Sequence, residues 1–521
     1  MKIQNPDSDH WRFYSLFLIS SLAFLLVFKW SKLPTFIDIY YHLSVMLGFN
    51  EIGGFTTMAF WEYAPVGRPH LYPPLIHFLM LIFYKLNFSA ITIARLFELI
   101  IYPAALFTLW WVVDKLFNRR LAFFTILISI SIFSFYLSII NFIPATLATI
   151  LSLLSLFFME KDKIVASALL LGLAFYAHAV IPWIFLFSFI LYSFLNKKIL
   201  RNCTKITVFA LIAATPILIY QYLFREYIKT SWATEIFSIE ISLWLLLFIP
   251  GLIISLKRKG RYNFFVALFI INLLSMCTSY RYRFILGQGI LGLLFLSSVA
   301  LDAAYDKTID FLVKKPRTKF NTASVLLLII LYFYFLSPTL LIQDGKLSFP
   351  ILNSTYINLN PLSKQIYRPN EFSIYFPKEY KPIKEGIIGN SNYDDIVYFR
   401  PRYFTGLFSV LTGRATSTAM LKEVRAYKEF DPIAVSKLII WAKIPEEASK
   451  GEKLADIIKK YNLKKIKETE LFYIYENHKA TAKRILPKPL LSNRFIFSIL
   501  FLFIGLIGWD IRKRQGGQDG N

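Results

Sequence analysis

Long apolar runs separated by short basic ones set the pattern of this chain. Runs of about 18 or more apolar residues recur between Phe13 and Trp509, the length a helix needs to cross about 30 Å of hydrocarbon. They fall near 13–31, 95–115, 121–140, 143–159, 164–178, 180–196, 206–222, 240–256, 262–278, 284–302, 322–342 and 494–511. Core helices of soluble proteins are shorter and apolar on one face. The pattern therefore predicts an all-α polytopic membrane domain of about twelve transmembrane helices. No small-x-small site precedes Lys32, so the first run reads as a retained span rather than a cleaved signal.

The polar residues between the runs give the expected orientation. With the N-terminus in the cytoplasm, the inner connections receive Lys115, Arg119 and Arg120; Lys161 and Lys163; Lys197, Lys198, Arg201 and Lys205; Lys257, Arg258, Lys259 and Arg261; and Lys314, Lys315, Arg317 and Lys319. Arg512, Lys513 and Arg514 follow the last run. Nearly every inner connection is then basic, as the positive-inside rule asks, and an even span count returns both termini to the cytoplasm. Residues 75–90 are apolar but short for a span. As a helix lying at the interface they preserve the alternation; as a full span they invert everything downstream.

Two outward segments interrupt the apolar pattern. The first, 31–94, is rich in aromatics, His, Gly and Pro. The second, 343–490, carries the strand-like runs DIVYF (395–399) and ELFYIYE (470–476), with EEASKGEKLADIIKKYN (446–462) reading as an amphipathic helix. Its many Ile, Tyr and Phe residues oppose a disordered loop. The expected layout is a membrane domain over 1–342, a small extracytoplasmic α/β domain over 343–490, and a last transmembrane helix with a basic cytoplasmic tail over 491–521.

Composition agrees with a membrane class. Of 521 residues, 56% are hydrophobic and 17% charged, against roughly a quarter charged in soluble domains, and the mean hydropathy is +0.51. The formal charge of +25 is a topology signal, because the basic residues cluster between apolar runs, and it gives no reason to expect nucleic acid. The two cysteines, Cys203 and Cys277, fall on opposite faces in this topology, which opposes a disulfide.

The densest polar constellation lies in 36–78, with Asp38, His42, Glu51, Glu62, Arg68, His70 and His77. Asp38 and His42 are four apart and share one face if IDIYYHLSVML is helical. A carboxylate facing a cleft at the membrane surface suits removal of a proton from a hydroxyl. The alternative is that Asp38 caps the helix after it. The three histidines fit no compact ligand spacing and no Cys accompanies them, so no zinc site is expected.

A span, then DIYYH (38–42), then a Gly- and Trp-rich stretch, then GRPH (67–70) and LYPPLIHF (71–78), with ARLFELI (94–100) opening the next span, resembles the first outward loop of GT-C membrane glycosyltransferases. The layout of spans followed by an outward α/β domain is also similar. The resemblance covers the whole chain in layout and roughly the first 180 residues in sequence pattern. It implies transfer of a sugar from a polyprenyl-phosphate-linked donor to a glycan, lipid or protein acceptor on the outer face, amid membrane lipids. Asp38 would be the general base, with His42 on its face. A leaving phosphate needs positive charge, and Arg281 and Arg283 of SYRYRF (279–284), Arg225 and Lys229 after the seventh span, and Arg68 are the outward candidates. SYRYRF is equally readable as an interfacial anchor. In FYAHAVIPW (175–183), His178 joins Glu62, His70 and Tyr72 as a substrate-pocket candidate, or is an ordinary hydrogen-bonded residue at a helix end.

The chain also departs from that family. Where many members carry a second carboxylate in the next outward loop, YLSIINFIPATLA (136–148) has Asn141. The Trp-Trp-Asp pattern of oligosaccharyltransferases is absent from 343–490. Both departures oppose en bloc transfer to asparagine and a divalent metal cofactor, which wants several oxygen ligands. Glu51 and Glu62 remain as substitute carboxylates. LTGRATST (411–418) is a turn or an ordered loop near the acceptor. A non-catalytic transporter or flippase of lipid-linked sugars is the competing function, since it too needs basic, aromatic outward cavities.

Overall fold

The computed structural model describes residues 8–35, 37–229, 238–275, 277, 288–313, 339–343, 346–348, 376–421, 423–443 and 453–512. The apolar runs fold as helices: α1 (Ser8–Phe28), α2 (Asp38–Ile52), α3 (Leu75–Lys85), α4 (Ala90–Leu116), α5 (Arg119–Ser131), α6 (Phe133–Asn141), α7 (Ile143–Glu160), α8 (Ile164–Ala177), α9 (Ile181–Leu195), α10 (Leu200–Leu223), α11 (Phe248–Arg258), α12 (Asn263–Ser275) and α13 (Ile290–Val313). Five described helices are long and apolar enough to cross a membrane unaided, over His10–Phe28, Ala90–Leu116, Ile143–Glu160, Lys197–Leu223 and Asn493–Arg512. The chain is an integral membrane protein. Ser89 caps α4 by accepting from the Thr92 N–H, and Asn118 caps α5 by accepting from the Leu121 N–H; each satisfies a donor that a helix start leaves free.

Two segments differ from the sequence expectation, 240–256 and 322–342, while 75–90 is as short as expected. The eleven residues of α3 reach about 16 Å, half of the hydrocarbon thickness, so α3 is short for a crossing. The run at 240–256 begins as strand β4 (Ser238–Ser242) followed by a 3-10 turn, and only then becomes α11. The run at 322–342 ends in strand β5 (Thr339–Gln343), which pairs antiparallel with β4 and with β6 (Lys346–Ser348). A short apolar window cannot by itself separate strand from helix, and the boundary expected at 342/343 falls within a strand. The rest of 322–342 lies outside the described residues.

The basic connections meet at one end of the bundle. Arg120 Nε donates to Asp302 Oδ1 at 2.6 Å, and Arg258 Nη1 reaches Asp302 Oδ2 at 3.2 Å. Arg261 Nε holds Glu160 Oε2 at 2.7 Å. Trp11 near the chain start packs on Phe123 and Tyr305 at this same end. The last helix, α17 (Asn493–Arg512), arrives there too, where Lys163 Nζ donates to the carbonyls of Asp510 and Ile511 at 2.8 Å each.

At the opposite end, residues 376–486 form a five-stranded sheet, with helices α14 (Pro377–Gly389), α15 (Phe404–Thr412) and α16 (Leu454–Tyr461). Strand β7 (Ile396–Arg400) runs parallel to β8 (Ala415–Thr416) and β9 (Leu438–Ala442); β11 (Phe472–Glu476) runs antiparallel to β9 and to β10 (Lys464–Glu468). Alternation along the strands separates two cores, as the period of two demands. Val397, Phe399, Ile440 and Ile474 join a core shared with α2, while Tyr398, Ile439 and Tyr475 pack on α16. The strand runs expected at 395–399 and 470–476 match β7 and β11, and α16 lies within the expected amphipathic helix, of which 446–452 falls outside the described residues.

This domain is docked on the first loop. Where α15 crosses α2, a Cβ at Gly406 would stand 3.2 Å from backbone atoms of Tyr40 and Tyr41, and Ser44 Oγ donates to the Gly406 carbonyl at 3.3 Å. The linker to α17 adds strand β12 (Leu491–Ser492) against β1 (Gly54–Phe55). The loop after α10 bridges to the domain through Ile228 and Val424.

Candidate active site at the loop end

Asp38 is the first residue of α2, and Ile37 holds the N-cap position without a side-chain cap hydrogen bond. The carboxylate therefore does not occupy the cap position, and it stands half-buried. The segment leading into it is clamped from α4. Glu98, 2% exposed inside an apolar helix, accepts from the Thr35 N–H at 2.8 and 3.1 Å and from the Thr35 hydroxyl. Arg95 Nε donates to the Leu33 carbonyl at 2.9 Å and its guanidinium lies over Trp30. Both belong to ARLFELI. Glu98 is a positioning residue that the sequence reading missed, and its signal was an acid within an otherwise apolar span.

Four of the residues expected at the site form one column of rings with His77. Tyr72 lies 6.4 Å from His178 and 5.0 Å from His42, His42 lies 5.2 Å from His77, and His77 lies 5.8 Å from His70, between ring centroids. His42 Nδ1 and His77 Nε2 are hydrogen-bonded at 3.0 Å. Among the described residues, His77 Nδ1 and both nitrogens of His70 have no hydrogen-bond partner. His70 is packed among Phe49, Phe55 and Trp61. Burial lowers the pKa of His42 and of His70 to about 3 and drives that of His77 well down, because an apolar site disfavours the charged form. The three imidazoles are neutral at physiological pH. Among the described residues, no group of three His, Cys, Asp or Glu is arranged to hold a metal ion.

The other carboxylates of the loop are paired. The hairpin of β2 (Met58–Ala59) and β3 (Arg68–Pro69) brings Glu62 beside Arg68, with Nη2 2.5 Å and Nε 2.8 Å from Oε1 and both side chains 3% exposed. Arg68 Nη1 also donates to the carbonyls of Leu421 and Val424. Arg68, expected on a donor phosphate, and Glu62, expected in the substrate pocket, pair with each other, and Arg68 ties the loop to the sheet domain. Burial raises the Glu62 pKa against the pull of Arg68. Glu51 is held by Arg484, with Nη2 2.5 Å from Oε1 and Nη1 3.1 Å from Oε2.

The remaining candidates are spread over the same end. His178 terminates α8, and its Nδ1 accepts from the N–H groups of Val180 and Ile181 at 3.1 and 3.3 Å, capping the start of α9. Asn141 is the last residue of α6, half-buried. Arg225 is exposed, with its guanidinium 4.0 Å above the Tyr222 ring. The Lys229 N–H donates to Glu423 O at 2.7 Å. Arg281 and Arg283 lie outside the described residues. Cys203 and Cys277 are free.

Two cavities open near the loop. One, of about 370 Å³, is an apolar groove between α3, α8, α10 and α17, lined by Pro74, Phe78, Tyr176, Pro216, Tyr220 and Phe503 among others. The second, of about 450 Å³, is lined by polar and apolar groups together, is more polar than the groove, and lies between α2, the start of α4 and the sheet domain.

No family model and no curated protein matches the sequence. Among solved structures, the chain is similar to ArnT from Cupriavidus metallidurans in the apo state, with a TM-score of 0.56 and 11% identity over 89% of this chain and 98% of that one. ArnT bound to undecaprenyl phosphate gives a TM-score of 0.55 at 11% identity over the same shares. The archaeal oligosaccharyltransferase AglB from Archaeoglobus fulgidus, in complex with an inhibitory peptide and a dolichol-phosphate, gives 0.55 at 11% identity over 83% of this chain and 69% of that one. The chain has a GT-C-like fold.

Proposed function

We propose that this protein is a glycosyltransferase that moves a sugar from a polyprenyl-phosphate-linked donor to a glycan, lipid or protein acceptor at the outer membrane face, with Asp38 as general base. The observation that carries this reading is the placement of Asp38: a half-buried residue opening α2, on a segment clamped by Glu98 and Arg95. The shared fold supports the reaction class, and the apolar groove offers a path for a prenyl chain from the bilayer to the loop.

In this mechanism the acceptor hydroxyl gives its proton to Asp38 as its oxygen bonds to the anomeric carbon. The bond from that carbon to the phosphate oxygen breaks, and polyprenyl phosphate leaves. Cations stabilise the leaving phosphate; Arg225 and Lys229 are exposed described candidates, alongside Arg281 and Arg283. The neutral His42, four residues on from Asp38, lies between Tyr72 and His77 in the ring column and adds no competing positive charge. No metal enters the scheme. In this topology the basic end faces the cytoplasm and the loop end faces outward.

The test is transfer from radiolabelled polyprenyl-phosphate sugars by purified protein in lipid. Asp38→Asn is expected to lose about a hundredfold or more; undiminished transfer removes Asp38 as the base. Lipid-linked sugar that crosses a vesicle membrane without product points to transport instead. Labelling Cys277 and introduced cysteines in 376–443 from outside checks the orientation, and protection of those sites overturns it.

A further inference from the structure

Arg414 belongs to LTGRATST (411–418) and takes no part in the Asp38 scheme. It is 8% exposed, and its guanidinium donates to three neutral oxygens: Nε to Ser391 Oγ at 3.1 Å, Nη1 to Thr412 O at 3.1 Å and Nη2 to Ser391 O at 2.9 Å. The carboxylates around it serve other cations. Asp395 is 2.5 Å from Lys483, and Glu51 is 2.5 Å from Arg484. A guanidinium carries five N–H donors, so two are left over, and a buried charge without a counter-ion is costly. Burial lowers the Arg414 pKa, Asp395 draws it up and Arg484 lowers it further.

No carboxylate among the described residues forms an ion pair with Arg414, and its charge lines the cavity of about 450 Å³. Tyr393 on the same wall lies between two guanidiniums, with Arg484 Cζ 4.0 Å and Arg414 Cζ 5.6 Å from its ring centroid. Trp61 also lines the cavity, and its Nε1–H is buried without a hydrogen-bond partner. Ser44 and Asn50 add short polar groups from α2. Aromatic rings beside hydroxyls, an amide and an unneutralised arginine suit a sugar that bears negative charge. The cavity shares no lining residue with the apolar groove, which separates it from the path of a prenyl donor.

We propose that this cavity binds an anionic saccharide group of the acceptor, its phosphate or carboxylate on Arg414 and its ring against Tyr393 and Trp61. The assignment to an acceptor rests on the glycosyltransferase reading; the preference for an anion rests on the cavity alone.

Isothermal titration of the full-length protein in nanodiscs with glucose 6-phosphate, glucuronate and glucose tests it. Wild type is expected to bind the two anionic sugars at least about tenfold more tightly than glucose, Arg414→Gln to lose that preference, and Arg414→Lys to keep part of it. Should Arg414→Gln fail to fold, Ala90→Glu decides, since it sets a carboxylate in the cavity lining and leaves every Arg414 hydrogen bond in place. Equal binding of glucose and glucose 6-phosphate, no binding at all, or unchanged affinity in folded variants overturns the proposal. Competition by polyprenyl phosphate in the nanodisc assigns the site to the donor and overturns the acceptor role. Anion-selective binding without any sugar transfer by wild type leaves the cavity standing and removes the glycosyltransferase reading, whereas transfer without anion selectivity does the reverse.

Discussion

The two ends of the helical bundle treat their buried charges differently. At the basic end the buried carboxylates meet cations: Asp302, with a side chain 2% exposed, meets Arg120 and Arg258, Glu160 meets Arg261 and the Tyr192 hydroxyl, and Asp114 meets Lys115 and Arg119, although its Oδ1 makes no hydrogen bond among the described residues. At the loop end, His70 offers two ring nitrogens to nothing, His77 one, and Arg414 meets only neutral oxygens. Native proteins satisfy nearly all buried polar groups, and exceptions concentrate where ligands bind or chemistry occurs. The basic end is built to hold helices together; the loop end retains unused hydrogen-bonding capacity. Glu62 and Arg68 are the instructive exception there, a satisfied pair whose task is to fasten the hairpin to residues 421 and 424.

That contrast is most sharply tested at the exception. Arg68→Met strands the Glu62 carboxylate in a dry site and is expected to lower stability by about 3–5 kcal/mol, whereas Glu62→Leu with Arg68→Met together recovers most of the loss. Thermal unfolding in nanodiscs reads both, with the part not recovered by the double variant reporting the Leu421 and Val424 carbonyls that Arg68 no longer holds. A double variant as unstable as the single one shows that the pair does more than neutralise itself. At the basic end, Asp302→Asn removes the charge that two arginines share and is expected to cost about 1.5–3 kcal/mol, with transfer per folded molecule unchanged. A fall in specific activity that tracks the substitution breaks the division between the two ends.

How much of this was legible beforehand follows the range of the interactions. Spans and basic connections are local in sequence, so hydropathy and charge placed α1, α4, α7 and α17 within a few residues. Asp38 stood out for the same reason, as a carboxylate directly after the first apolar run. The ring column was not legible, because His42, His70 and His77 are separated by spacings that match no single element, and only the return of α3 beneath α2 brings them together. The pairing of Arg68, read as an outward candidate for the phosphate, was not legible, because its partner six residues back becomes a neighbour only once the β2–β3 hairpin forms. The run LIIWA (438–442) passed unremarked, since it is a central strand buried on both faces and lacks the alternation that marks DIVYF and ELFYIYE. The cavity beside Arg414 joins positions 50, 61, 393 and 414, a juxtaposition that no spacing rule conveys.

The smallest expected effect is at His70, and it separates a ring kept for its shape from one kept for its nitrogens. The site is walled by Phe49, Phe55 and Trp61, so His70→Phe exchanges an imidazole with no hydrogen bond for a ring of similar size. Removing two unsatisfied buried nitrogens is expected to raise stability by about 1 kcal/mol near neutral pH. The pH dependence gives a second, independent reading. His70 has a folded pKa of about 3 against about 6.5 in the unfolded chain. Above about pH 6.5 neither state holds the proton, and the residue adds no slope. As pH falls from there toward 3, the unfolded chain takes up a proton that the folded chain refuses, and stability is lost at up to about 1.4 kcal/mol per pH unit. His70→Phe therefore flattens the decline in melting temperature between about pH 6 and 4 relative to wild type. An unchanged slope means that the ring is hydrated or charged in the folded protein. A variant that is more stable yet transfers sugar more slowly means that the loop end keeps the imidazole for the reaction at a cost in stability.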